Sequence, residues 1–319
     1  MSMLRTIFLL AACAAAMPLQ ASELSTAERE ALFSSFEEVD WFEDEDNARY
    51  KHFVYLEDPQ SSVALRSDKR STKKLLRALE EDPFEYGYCR TGRILASRGA
   101  TILPQLLDAL PGSDSYYRIC LVNLLSEISD PQRDAAFVDL LQKILHEGDP
   151  DSLVAPAVEP AMRVLAARNV AAAVPVLRAY LETDGIEGEL RAGARIALGR
   201  MGALDPGSIP SVPYEKEAGL NVEGLGDQVA LLELLLKYEL IMAPLKLVEF
   251  EAGAAPTKVL KGTIEDGTWY LRVGQAQDGR VPFYYNWDTG PLSAAGYTGV
   301  AEVRNGQWIV TDWRMMWIS

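Results

Sequence analysis

Residues 95–110 read LASRGATILPQLLDAL, and residues 165–181 read LAARNVAAAVPVLRAYL. Both open on Leu-Ala-small-Arg, and both set a proline, Pro104 and Pro175, inside an apolar run. A missing N–H is harmless in the first turn of a helix, so each proline marks a helix start. The stretch at 120–145, CLVNLLSEISDPQRDAAFVDLLQKIL, and the stretch at 190–206, LRAGARIALGRMGALDP, follow the same plan. Aligning Leu95, Leu125, Leu165 and Leu198 spaces the copies by 30, 40 and 33 residues. Each copy is an apolar helix, a short break and, in most, a second apolar helix. Helix pairs recurring at this length are the sequence signature of an α-solenoid.

Helical spacing supports that reading. Ile102, Leu103, Leu106, Leu107 and Leu110 make one stripe, and Ala136, Phe137, Leu140, Leu141, Ile144 and Leu145 make another. Turn residues separate them: Gly99, Pro111-Gly112, Asp130-Pro131, Gly148-Asp149-Pro150 and Gly202. The stretches GRILASRGATILPQLLDAL, RVLAARNVAAAVPVLRAYL and RAGARIALGRMGALDP resemble HEAT-like repeats of the PBS-lyase type, over about residues 60–206. The resemblance implies a curved stack of antiparallel helix pairs that binds protein, and it implies no chemistry. The spacing is uneven, and no obvious second helix follows Leu204.

The chain on either side reads differently. Residues 1–21 have the layout of a signal peptide: Arg5, the apolar run TIFLLAACAAAM, then a cleavage point after Ala21. Leu10-Ala11-Ala12-Cys13 also resembles a lipobox, which makes Cys13 an alternative lipidated N-terminus. Residues 22–60 read as an acidic helical cap, with Leu32, Phe33, Phe36 and Val39 as its apolar stripe. They carry 12 Asp+Glu against 3 Lys+Arg, and the whole chain has a net charge of −15. That balance repels phosphate backbones, so nucleic acid is not an expected partner. No transmembrane segment is expected either, because Glu233, Lys237, Glu239 and Pro244 break the most apolar later run.

Residues 207–225 read as a linker rich in proline, and residues 226–319 as an α+β domain. After a helix over about 226–242 the apolar period becomes two. Asp266-Gly267, Asp278-Gly279 and Asn305-Gly306 are hairpin-turn dipeptides, which predict about five antiparallel strands in a meander. The expected strands lie near 257–265, 268–276, 280–287, 297–304 and 307–317. Pairing across the turns sets Ile264 opposite Trp269, Val273 opposite Tyr284, and Val303 opposite Trp308. In the last strand Ile309, Trp313, Met315 and Trp317 are expected on one face with Thr311, and Asp312 and Arg314 on the other. The order of elements is similar to NTF2-like or cystatin-like domains. The fold class is therefore multidomain: a HEAT-like helical solenoid followed by an α+β domain with an antiparallel meander.

Chemistry has few footholds in this sequence. The only histidines are His52 and His146, and no triad, HExxH or zinc spacing is present, so no catalytic, cofactor or metal residue is assigned. Cys89 and Cys120 are candidate disulfide partners in an oxidising compartment, or two buried thiols. The five carboxylates from Asp40 to Asp46 read as a solvated acidic surface. The helix 66–77 carries Arg66, Lys69, Arg70, Lys73, Lys74 and Arg77, a wet basic face that pairs with that acidic block or meets phosphate or lipid. Tyr285, Trp287 and Trp308 are the candidate binding surface of the sheet. Asp288 and Asp312 are the acids nearest to it.

The functional expectation is an exported, periplasmic or secreted, non-catalytic scaffold that binds a protein partner, such as an inhibitor or immunity-type factor. One alternative is small-molecule binding or hydrolase-like activity in the C-terminal domain. The other is a cell-envelope assembly factor.

Overall fold

The structure, a computed structural model, describes residue 32 and residues 69–81, 90–147, 154–186, 188–217, 220, 226–241, 245–252, 258–264, 267–288, 294–304 and 306–318. The signal-like segment with Cys13 and Ala21, the acidic block 40–46, His52, Arg66 and Cys89 lie outside these residues. Of the expected cap stripe only Leu32 is described, as helical and buried.

Among the described residues eight α-helices precede the sheet region: α1 (Thr72–Glu81), α2 (Arg90–Ala96), α3 (Leu103–Ala109), α4 (Ser115–Ser126), α5 (Pro131–Glu147), α6 (Val154–Ala167), α7 (Ala173–Glu182) and α8 (Gly188–Arg200). Packing runs between helices two apart: α2 on α4, α4 on α6 and α6 on α8 in one row, with α3 on α5 and α5 on α7 in the other. Leu95, Leu125, Leu165 and Leu198 each sit near the end of a first-row helix, and each is 0% exposed. Pro104 stands in the first turn of α3, as its missing N–H requires.

The ends of these helices repeat as well. Gly99, Asn169 and Gly202, each four residues beyond an aligned leucine, have φ of 55°, 52° and 69°. After α6 the Val170 N–H bonds the Leu165 carbonyl, and after α8 the Ala203 N–H bonds the Leu198 carbonyl. This is a Schellman ending, in which a left-handed residue lets the chain satisfy the last free carbonyls. Arg98 and Arg168 recur for the same structural end: each reaches back one unit. Arg98 donates to Thr72 Oγ1 at 2.8 Å and to the Arg70 carbonyl. Arg168 donates to Asp134 Oδ2 at 2.8 Å and to Ser129 Oγ. Asp134 is also held by the buried Arg133, whose guanidinium in turn caps the Leu125 and Ser126 carbonyls.

The C-terminal part is α9 (Gly226–Lys237) and a seven-stranded sheet in sequential order. Its strands are β1 (Glu215–Lys216), β2 (Lys246–Ala252), β3 (Lys258–Ile264), β4 (Gly267–Val273), β5 (Arg280–Asp288), β6 (Ala294–Arg304) and β7 (Gln307–Ile318). All pair antiparallel except β1 with β2. Two strands exceed the expectation. β1 falls in the stretch read as a linker, where Ile209, Val212, Tyr214 and Leu220 pack against the second core. Proline-rich composition hid it, although an edge strand tolerates proline. β2 was obscured by a register shift between Leu247 and Glu249, which breaks the period of two.

Registers correct three further expectations. Trp269 faces Gly262 rather than Ile264, because Ile264 pairs with Gly267 at the start of β4. Asp278 and Gly279, at φ 51° and 76°, do form the expected two-residue turn. An irregularity just beyond it sets Val273 opposite Phe283, not Tyr284. Val303 does pair with Trp308. In β7 the register shifts between Ala301–Val310 and Val300–Asp312, so Thr311 is an extra residue. That bulge puts Val310, not Ile309, on the core face with Trp313.

Two cores result. The first spans α1 to α8, and the second joins α9 to one face of the sheet. Helix α8 belongs to both: Leu190, Ala194, Ala197 and Leu198 enter the first, while Ala192 and Ile196 enter the second. No helix among the described residues is long and apolar enough to cross a membrane.

Glycine makes the sheet core possible at two cross-strand pairs. Trp269 lies over Gly262 and Phe283 over Gly299, and a Cβ on either glycine would overlap the facing ring. Gly299→Ala is expected to lower unfolding free energy by ~1–3 kcal/mol, the usual range for an overpacked core. Gly112→Ala, with open space around it, should change stability by no more than about 0.5 kcal/mol. Urea denaturation of both variants checks this.

Candidate functional site

A crevice among the described residues lies where helices meet sheet. From α6 it takes Glu159, Met162, Arg163 and Ala166, and from α8 Gly193, Ile196, Ala197 and Arg200. Both sets follow the i, i+3, i+4, i+7 spacing of one helix face. The bulged edge of the sheet supplies Thr311, Asp312 and Trp313. Gly193 allows the close approach: a Cβ there would stand 3.1 Å from Met162 Sδ and 3.8 Å from Trp313 Cζ3. The cavity left between them is about 10 Å³, room for about one water molecule.

Charged and polar groups gather around the crevice. Arg163 Nε lies 3.2 Å from Glu159 Oε1, with both side chains largely buried. Arg200 Nη1 donates to the Thr311 carbonyl at 2.9 Å, and Arg304 Nη1 donates to the Arg200 carbonyl at 3.3 Å. Asp312 is buried, with Arg314 Nε at 3.5 Å. Buried charges are costly unless paired; Glu159 and Asp312 each have an arginine beside them, and Arg200 is held by a backbone carbonyl.

Under the crevice three rings stack. Tyr285 and Tyr297 are 4.9 Å apart between centroids, and Tyr297 and Trp313 are 5.3 Å apart, with planes 9° and 6° from parallel. Tyr297 Oη donates to Glu189 Oε1 in the first turn of α8, which ties the sheet core to the helix. Burial, the facing Tyr285 and the charges of Glu189 and Glu159 all hold the Tyr297 phenol far above its usual range. Burial first, then Glu189, does the same to Tyr285.

The three residues expected to form a sheet binding surface are not one surface. Tyr285 is 2% exposed and sits inside the stack. Trp287 and Trp308 are half-buried against the second core, on β5 and β7. Asp288 ends β5 opposite Ala294, and Asp312 lies at the crevice rather than deep in the sheet. Cys120 is buried in α4, and His146 is exposed in the last turn of α5. Among the described residues no group of three His, Cys, Asp or Glu side chains is placed to hold a metal ion.

Sequence reasoning missed the junction residues Glu159, Arg163, Glu189, Gly193 and Arg200. The available signal was the run of small residues in ELRAGARIALGR, which leaves α8 room to be packed from several sides.

Outside the junction, the charged feature singled out in the sequence is well placed. Leu75, Leu76 and Leu79 bury one face of α1. Lys69, Lys73, Lys74 and Arg77 are exposed, and within the described residues only Arg77 of these four has an ion pair, with Glu81 at 2.8 Å.

No protein-family model matches the chain, and no curated protein or solved structure matches it significantly.

The buried phenols give a pH dependence. Tyr117 is pushed up to about 12 by burial and by the charges of Glu80 and Cys120, from an ordinary value of 10.0. Tyr180, Tyr238, Tyr285 and Tyr297 are raised as well. A phenol that ionises later in the folded chain contributes stability below the unfolded pKa of 10.0 and loses it as pH climbs through the folded value. Stability should therefore fall steeply above about pH 10, with tyrosinate absorbance and loss of sheet circular dichroism rising together. Tyr297→Phe should flatten that fall, and at neutral pH should remove ~1.5–3 kcal/mol with the hydrogen bond to the Glu189 carboxylate.

Proposed function

We propose that this chain is an exported, non-catalytic scaffold whose stack of HEAT-like helix pairs binds a protein partner. The observation that carries the reading is the recurrence of one unit. Four aligned leucines are fully buried on helices that pack two apart, and Arg98 and Arg168 each reach back to the unit before. Stacked helix pairs present extended surfaces, and such surfaces serve binding. The core face of the sheet is filled by Leu260, Trp269, Leu271, Phe283, Tyr285 and Tyr297, which argues against a ligand chamber there. At the crevice Arg163 pairs with Glu159 and Arg200 bonds the Thr311 carbonyl, and the gap admits about one water. Among the described residues the one large apolar side chain left exposed is Val303.

An inhibitor or immunity-type factor is the role that suits an acidic, partner-capturing exported chain. Membership of an envelope assembly complex is the second reading, and the test separates the two. The tagged full-length chain, expressed with its leader, is cross-linked in the periplasmic fraction and purified. The expected result is one partner in fixed proportion, released by salt. Several envelope components in place of one would favour the assembly reading. A chain that purifies alone and turns over a hydrolase substrate would overturn the proposal.

A further inference from the structure

We infer that the outer face of α1 is the docking surface for the partner, and that the partner presents an acidic polypeptide segment to it. The inference deepens the binding-scaffold reading and rests on it. Lys73 and Arg77 stand one above the other on the helix, Lys74 lies beside them, and Lys69 precedes the first turn. Like charges at i, i+4 repel, yet among the described residues Glu81 is the one counter-ion to this row, bound to Arg77 at its far end. Lys69, Lys73 and Lys74 make no ion pair with any described residue, although the chain carries a net charge of −15. A row of cations held on a helix whose other face is anchored by Leu75, Leu76 and Leu79 is a preorganised electrostatic complement to carboxylates.

The same cations would also attract an anionic bilayer, but two features favour a polypeptide. The leucines of α1 are turned into the core, so the helix has none to insert among lipids. A flat anionic membrane would also face other acidic parts of a −15 chain, whereas a peptide segment makes its contacts at the basic row, with more distant charges screened over a Debye length of about 8 Å.

The test uses the full-length chain, a fluorescent oligo-glutamate peptide, and vesicles of phosphatidylglycerol with phosphatidylethanolamine. The peptide is expected to bind at low ionic strength and to be released by salt. The triple variant Lys69→Glu, Lys73→Glu, Lys74→Glu should bind at least about tenfold more weakly, the change expected when attraction becomes repulsion over three exposed charges. Lys143→Glu on α5 should bind as the parent does. The neutral variant Lys69→Gln, Lys73→Gln, Lys74→Gln and acetylation footprinting of the parent, with Lys73 and Lys74 protected by peptide, guard against a misfolded reversal. Equal peptide binding by parent and triple variant would overturn the inference, as would lysine-dependent binding to vesicles without binding to peptide. Lysines already protected from acetylation in the parent alone would overturn it too, because the chain's own acids would then hold them. The two proposals fail separately. If the partner co-purifies equally with parent and triple variant, the scaffold reading stands and α1 is not its face. If no partner is captured by the parent, the scaffold reading itself falls.

Discussion

The architecture hangs on one helix being packed from both sides. A typical surface helix buries a single stripe, but α8 sends Leu190, Ala194, Ala197 and Leu198 into the helical core and Ala192 and Ile196 into the sheet core. Only small residues permit this. Gly193 admits Met162 and Trp313, and Gly199 admits Tyr238, whose Oη would lie 2.9 Å from a Cβ at that position. Polar contacts then fix the angle of approach. Glu189 takes the Tyr297 hydroxyl at one end of α8, and Arg200 reaches the Thr311 carbonyl at the other. Arg191 and Arg195 together hold Glu239 beyond the end of α9.

That last contact sits at a helix ending of a kind already met. Glu239 has φ 60°, and the Leu240 N–H bonds the Leu235 carbonyl. This is the ending seen after Leu165 and Leu198, so α9 closes as the first-row helices do, although its partner is a sheet. A left-handed conformation is unfavourable for a residue with a side chain. Here it coincides with two ion pairs that tie α9 to α8.

Much of the fold was legible in the chain. The aligned leucines, the prolines at helix starts and the recurring Arg98 and Arg168 are local signals, each tied to one place relative to a helix end. The Asp278-Gly279 turn was equally plain, because positive φ has few residue solutions. The failures share a different cause. The bulge at Thr311, the shift beyond Leu247 and the offset at Ile264 come from pairing between strands, which no single strand encodes. The junction was least legible of all. Glu159, Glu189 and Arg200 look like solvent-facing charges until tertiary packing brings their partners to them. The aromatic residues drew attention as a binding surface because so many of them cluster in sequence. Their alternation in fact supplies the sheet core, with Tyr285 deep inside it.

The placement of β7 against α6 and α8 has a consequence for how such a stack ends. Rows of helices that pack two apart offer, at their last member, the same apolar face that each earlier helix used to receive the next. Left open, that face would accept a helix from another molecule, and growth would have no natural limit. In this chain the face is occupied by a bulged strand from the molecule's own C-terminal half, and Arg200 bonds the Thr311 carbonyl of that strand. With β7 packed there, the exposed side of the last helix is covered from within the same chain.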